Sequence, residues 1–227
     1  PGLFPDISST RIRESLQNGE HPPSIPKTVW RYIHKKGLYD QPIHAWLKSH
    51  LHPNRYRHTL AVSQLAQTLA RKHHQDIHKA HIAALLHDAG RSLSLPRMVA
   101  YAQRRRLKIP QKKQALSHQP ILAHATISAD IARKKFGIID SQILNAIRHH
   151  TLGRPRMTTL EKILYLADIA SEDRDFKEAR TLHKIALHDL NRAMKMAIRT
   201  KMKYVQSRGQ WLHPLTLSLW KQYQRHS

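Results

Sequence analysis

From about residue 42 to residue 225 the apolar residues return every third or fourth position, and nowhere do they alternate. That spacing excludes a sheet and dictates helices that bury one face each. Residues 54–74 place His58, Val62, Leu65 and Leu69 on a common face. Residues 76–88 are nearly apolar in their last two turns, as a central helix must be. Residues 95–107 form a helix with a basic outer face, followed by a loop over 108–113. Residues 120–136 gather Ile121, His124, Ile127, Ser128 and Ile131 before Gly137 ends the helix, and 140–150 align Ile143, Ile147 and His150. After the turn Gly153-Arg154-Pro155, Thr158 and Glu161 open the next helix as a capping box, with Leu160, Leu164 and Asp168 sharing its face. One long helix is expected over 181–206, with Leu190, Met194, Ala197 and Ile198, and a short one over 214–225. The expected fold is an all-α bundle.

Residues 1–41 have a different texture. They carry Pro1, Pro5, Pro22, Pro23 and Pro26, then a short helical stretch over 28–33 that stops at Gly37. The segment is too short for a core of its own. With proline rather than methionine at its start, the chain reads as a fragment or processed product, divided into 1–41 and 42–227.

Cysteine is absent, so disulfides and thiolate ligands are excluded, and a metal site must use nitrogen and oxygen. No apolar run approaches the roughly 20 residues of a membrane span, and no secretory signal is visible. A cytoplasmic protein is the simplest reading. Lys and Arg number 39 against 15 Asp and Glu, a balance of +24 that attracts polyanions, or reflects a basic proteome. There are 19 histidines, so no single one is informative. His73, His74, His78 and His81 read as solvated helix or turn residues. His118 and His149 lie off the apolar stripes.

His87-Asp88 closes the apolar run 80–86, and His58, His124, His150 and Asp168 stand on or beside the apolar faces of other helices. Imidazoles and carboxylates aimed into one core are costly to bury unless they hold a metal ion. His58, His87, Asp88 and Asp168 come from three helices, as ligands in bundles do. An ion there would acidify a water and polarise a phosphate oxygen. His124 and His150 are then second-metal ligands or donors to phosphate, with His87, Asp88, His124 and His150 as the catalytic group. Each residue also has a structural alternative. His150 would cap a helix C-terminus, His124 would bond a backbone carbonyl, and Asp168 would pair with Arg174.

Four stretches extend the pattern: Arg55-Tyr56-Arg57-His58-Thr59, Ala83-Ala84-Leu85-Leu86-His87-Asp88, Ile147 to Pro155, and Leu160 to Asp168. In this order they resemble the HD-superfamily phosphohydrolases, and within them the bacterial symmetrical diadenosine tetraphosphate hydrolases. The resemblance implies an HD-domain helical bundle. It also implies one or two divalent ions, iron first, with manganese, nickel or zinc as alternatives, at His58, His87, Asp88 and Asp168. The implied reaction cleaves a dinucleoside tetraphosphate into two nucleoside diphosphates. Implied nucleotide contacts fall on Arg55, Asp88, Arg91, His124, His150 and Arg174, and on a segment opening with Pro214 and Thr216. This chain departs from the family pattern at Ala89-Gly90-Arg91, at Ser171-Glu172 and at Arg156.

Ile7-Ser8-Ser9-Thr10-Arg11-Ile12-Arg13 and Lys36-Gly37-Leu38-Tyr39 resemble the tail of nicotinate-nucleotide adenylyltransferases, which implies the end of a two-enzyme fusion. Three functions compete. The first is dinucleotide hydrolysis. The second is metal-dependent hydrolysis of nucleoside monophosphates, cyclic nucleotides or RNA ends. The third is a non-catalytic basic module for nucleic acid, ranked lower because aromatics make up only 6% of the chain. Membrane binding ranks last, and a homodimer is left open.

Overall fold

The computed structural model describes residues 8–17, 21–36 and 40–224. The expectations on Pro1, Pro5, Ile7, Gly37, Leu38, Tyr39 and residue 225 lie outside the described residues. So does the side chain of Arg13. The described residues are helical throughout, with no strand. The helices are α1 (Ser9–Gln17), α2 (Lys27–Lys36), α3 (Gln41–His50), α4 (Pro53–Lys72), α5 (Ile77–Leu86), α6 (Leu95–Arg104), α7 (Lys112–His118), α8 (His124–Phe136), α9 (Ser141–His149), α10 (Thr159–Ala170), α11 (Ala179–Ala186), α12 (Leu190–Ser207) and α13 (Pro214–Gln224). Short 3-10 turns occupy Ala89–Ser92 and Pro120–Ala123.

The central layer is α5, which packs against α4 and α9, while α10 closes on α4, α9 and α12. Ala83, Ala84, Leu85 and Leu86 of α5 are fully buried, as are Val62 and Leu69 of α4 and Ile143 and Ile147 of α9. α10 begins with the expected capping box. Thr158 accepts from the Glu161 amide at 3.3 Å, and Glu161 accepts from the Thr158 amide at 2.7 Å. Glu161 is fully buried and also receives Arg154 at 2.7 and 3.0 Å and His149 at 2.7 Å. Those partners outweigh the burial that would push its carboxyl up, and hold it at about 2 instead of 4.5. His149, off the apolar stripe in sequence, thus tethers the turn after α9 to the start of α10.

Two expectations need correction. The single helix over 181–206 is two helices, because Asp189 accepts from the amides of Asn191 and Arg192 and starts α12 afresh. His81 is not a solvated helix residue: it is half-buried, 2.7 Å from Asp40 and 2.6 Å from Ser63. His73 is a turn residue as expected, and its half-buried ring bonds the Ala186 carbonyl at 2.7 Å. In both cases a remote partner, invisible to local periodicity, draws the ring in. The N-terminal helices have a small cluster of their own, Ile12 and Trp30 around Ile25.

Candidate metal centre

Four elements bring imidazoles to two adjoining groups that share Asp88, and the same local rule orients three of them. The Nδ1 of His87 lies 2.6 Å from the Ala84 carbonyl, that of His124 lies 2.5 Å from Ile121, and that of His150 lies 2.7 Å from Ile147. Each acceptor is three residues back, at a helix or turn end where carbonyls are unpaired. Such a carbonyl requires Nδ1–H, so Nε2 carries the bare lone pair, the form in which imidazole binds metals. Burial pushes the His124 ring down to about 4 and lowers His87 and His150 as well, which keeps all three neutral. His58 is oriented differently. Its Nδ1 is 2.7 Å from Asp173, and its Nε2 is 3.1 Å from Asp168.

The carboxylates sit among these rings. Ligand atoms of His58, His87 and Asp88 lie within 4.8 Å of one another, and so do those of Asp88, His124 and His150. Asp168 adds an oxygen 4.0 Å from His87 Nε2. Asp88 is shared by the two groups, with one oxygen 3.6 Å from His87 and the other 3.2 Å from His124. Burial raises the Asp88 carboxyl, but His87, His124, Arg91 and His150 lower it further, and it stays ionised. Asp168 is likewise held well below the usual range, burial being outweighed by His58, Lys201, His87 and Arg174.

A divalent cation fits this donor set. Within the protein, the buried Nε2 of His87 has no hydrogen-bond partner, a costly state for a desolvated polar atom. The Nε2 atoms of His124 and His150 face each other at 3.1 Å, lone pair to lone pair, with the Thr151 hydroxyl 3.0 and 2.9 Å away. A cation relieves both conflicts, and neutral imidazoles with ionised carboxylates are the ligands it needs. The three structural alternatives weighed from sequence largely hold as well. His124 and His150 bond carbonyls, and Arg174 meets Asp168 at 2.7 Å. The carbonyl bonds orient the His124 and His150 rings, whereas Arg174 Nη2 stands on Asp168 Oδ1 and 3.2 Å from His58 Nε2, atoms that a cation would take.

The cluster opens into a cavity of about 1080 Å³ lined by Arg55, Arg91, Arg174, Lys201, Thr216 and Trp211, among others. Arg55 and Arg91 contact Asp88 at 3.0 and 3.3 Å. The Thr216 hydroxyl donates to the Leu152 carbonyl at 3.3 Å. Pro214 is exposed at the start of α13 and does not line the cavity; its neighbour His213 does. Gly90 is what lets this turn sit against α8, because a Cβ there would stand 2.6 Å from the His124 carbonyl oxygen. Gly153 has φ +68, and a Cβ there would collide with the Leu219 side chain.

Sequence reading missed Asp173, Thr151 and Lys201. Lys201 had a signal, because it continues the stripe of Met194, Ala197 and Ile198. Its ammonium lies 3.8 Å from the centre of the Tyr165 ring and donates to the Thr151 carbonyl at 3.2 Å. Burial brings it down to about 8.

An all-α bundle with a His–Asp metal cluster under a cationic cavity defines the metal-dependent phosphohydrolases of the HD type. Residues 55–173 match the HD domain, and the chain belongs to that family. It is 37% identical over 172 residues to the symmetrical bis(5'-nucleosyl)-tetraphosphatase of Bacillus subtilis (strain 168), covering 76% of this chain and 90% of the relative. It is 30% identical over 191 residues to the "Probable nicotinate-nucleotide adenylyltransferase/Ap4A hydrolase" of Mycoplasma genitalium, covering 81% of this chain and 50% of that protein. A crystal structure from Clostridium acetobutylicum, described as a "predicted HD superfamily hydrolase involved in NAD metabolism", superposes with a TM-score of 0.77 at 33% identity, covering 82% and 97% of the two chains. Among the described residues, no helix is long and apolar enough to cross a membrane.

Proposed function

We propose that this chain hydrolyses diadenosine tetraphosphate symmetrically to two ADP. The observation that carries the reading is the pair of groups His58–His87–Asp88 and Asp88–His124–His150, joined by Asp88, beside a cavity lined by Arg55, Arg91 and Arg174. The likeness to the symmetrical tetraphosphatase of Bacillus subtilis, over 90% of that protein's length, supports it.

In this reading His58, His87, Asp88 and Asp168 hold a divalent ion, iron first, and Asp88, His124 and His150 hold a second. Such ions supply Lewis acidity to a phosphate oxygen and acidify water. The protein's own residues do the rest. Asp173 fixes the His58 ring, as carboxylates behind metal-bound histidines do. Ala84, Ile121 and Ile147 fix the tautomers of the other three rings. Arg55, Arg91 and Arg174 line the cavity around the carboxylates; Arg55 binds the phosphate chain, and Arg91 and Arg174 neutralise the charge that grows on the phosphoryl oxygens. Water adds to one central phosphorus, the bridging P–O–P bond breaks, and each half leaves as ADP.

Residues 1–41 are read as the tail of an adenylyltransferase-like domain joined to the hydrolase of 42–227. The fused name of the Mycoplasma relative supports this, since this chain spans half of that protein. The test is product identification on a panel of diadenosine tetraphosphate, nucleoside monophosphates, cyclic nucleotides and short RNA. ADP as the sole product, from the tetraphosphate alone, is expected. AMP with ATP, or turnover of the other substrates instead, would overturn the assignment.

A further inference from the structure

The metal cluster occupies one part of the cavity and explains the phosphate chain. It does not explain what takes the nucleosides. The same cavity is lined by Trp211 and His213, from the stretch between α12 and α13, and by Gln119 and Leu122. This stretch lies beyond residues 55–173, which match the HD domain. Trp211 is half-buried and packs on the core. The His213 ring lies 5.0 Å from the indole at 57°, and the His118 ring lies 5.9 Å away at 46°. Both neighbours are tilted to the indole plane, so neither stacks on it as a parallel ring would. His213 is itself fixed, with Nε2 3.2 Å from the Pro110 carbonyl and Nδ1 accepting from the Leu215 amide at 3.1 Å. Gln119 lines the same wall, and its carboxamide has no hydrogen-bond partner among the described residues.

We propose that Trp211 is the platform on which a purine base of the substrate stacks, with the Gln119 carboxamide reading the base edge. Stacking on an indole needs only a π-face, and a carboxamide offers the donor and acceptor that an adenine edge requires. The proposal rests on the nucleotide reading given above and assigns it a specificity-determining residue outside the metal centre. Trp211 contacts the base and leaves the reacting phosphorus alone, so its effect falls on KM and not on kcat.

Calorimetric titration of the metal-loaded full chain with ADP and with inorganic pyrophosphate tests this. Trp211→Leu weakens ADP binding about ten-fold, and pyrophosphate binding stays as in the wild type. Trp211→Phe restores most of the ADP affinity. In the assay, Trp211→Leu raises KM for diadenosine tetraphosphate with kcat unchanged. Equal ADP affinity in Trp211→Leu and wild type overturns the proposal, and so does a parallel loss of ADP and pyrophosphate binding. The two readings fail separately. Wild-type protein that binds ADP through Trp211 but leaves the tetraphosphate intact sinks the reaction alone. Hydrolysis by Trp211→Leu with an unchanged KM sinks the base platform alone.

Discussion

The floor and the outer wall of the cavity are built on opposite terms. The floor draws on α4, α5, α8, α9 and α10. Each imidazole there has one nitrogen committed to a carbonyl or carboxylate and the other aimed at the cluster. The wall draws on α12, α13 and the stretch between them, and it presents cations and aromatic rings such as Arg199, Lys203, Tyr204 and Trp211. The lesson is one of cost. Burying carboxylates and neutral imidazoles together demands orientation of every atom, whereas a half-exposed wall only has to offer surface. On the proposed reading the floor sets the chemistry, and the wall selects what is brought to it.

Substitutions should separate the two regions cleanly. Asp88→Ala, which removes the oxygen pair shared by both groups, is expected to lower kcat by about 1000-fold or more while the far-ultraviolet dichroism stays helical. Normal turnover in that variant would erase the distinction between floor and wall.

Next in size is the tether beneath the floor. Glu161→Gln strands Arg154 and His149, and is expected to cost about 3 kcal/mol in denaturant unfolding. Its pH dependence has a definite sign. The folded carboxyl sits at about 2 and the unfolded one near 4.5. Its contribution is therefore complete above 4.5 and disappears as pH falls from there towards 2. Wild-type stability should decline across that window, and the Gln variant should decline less. Parallel curves would show that Glu161 does not carry the effect.

Smaller again is Arg55→Ala at the edge of the floor, with an expected rise in KM of about ten-fold from the loss of a charged phosphate contact. An effect confined to kcat would move Arg55 from substrate binding to chemistry. The smallest effect belongs to a pair remote from the cavity. Asp40→Asn weakens the bond to His81 and is expected to cost about 1 kcal/mol of stability without changing turnover. A loss of activity there would mean that α3 communicates with the floor.

Legibility followed the same division. His58, His87, Asp88, His124, His150 and Asp168 were readable because each interrupts or flanks an apolar stripe, where a polar residue needs a reason. The Thr158–Glu161 capping box was readable because its logic is local. Trp211 was not, since an aromatic residue between two helices has no periodic pattern to violate. Asp173 and Thr151 act through partners far away in the chain, at His58 and His124, and nothing in their own neighbourhoods announces it. The break at Asp189 went unread because apolar spacing continues across it, although an aspartate two residues before Asn191 is a helix-start signal. His81 was misjudged because its acceptor, Asp40, belongs to the segment that looked separate.

The most direct test of the account is elemental analysis of the purified wild-type chain beside Asp88→Ala and Trp211→Leu. One or two transition-metal ions per chain are expected in the wild type and in Trp211→Leu, with the content collapsing in Asp88→Ala. Equal metal content in wild type and Asp88→Ala, or a metal-free wild type that still hydrolyses its substrate in the presence of a chelator, would contradict it.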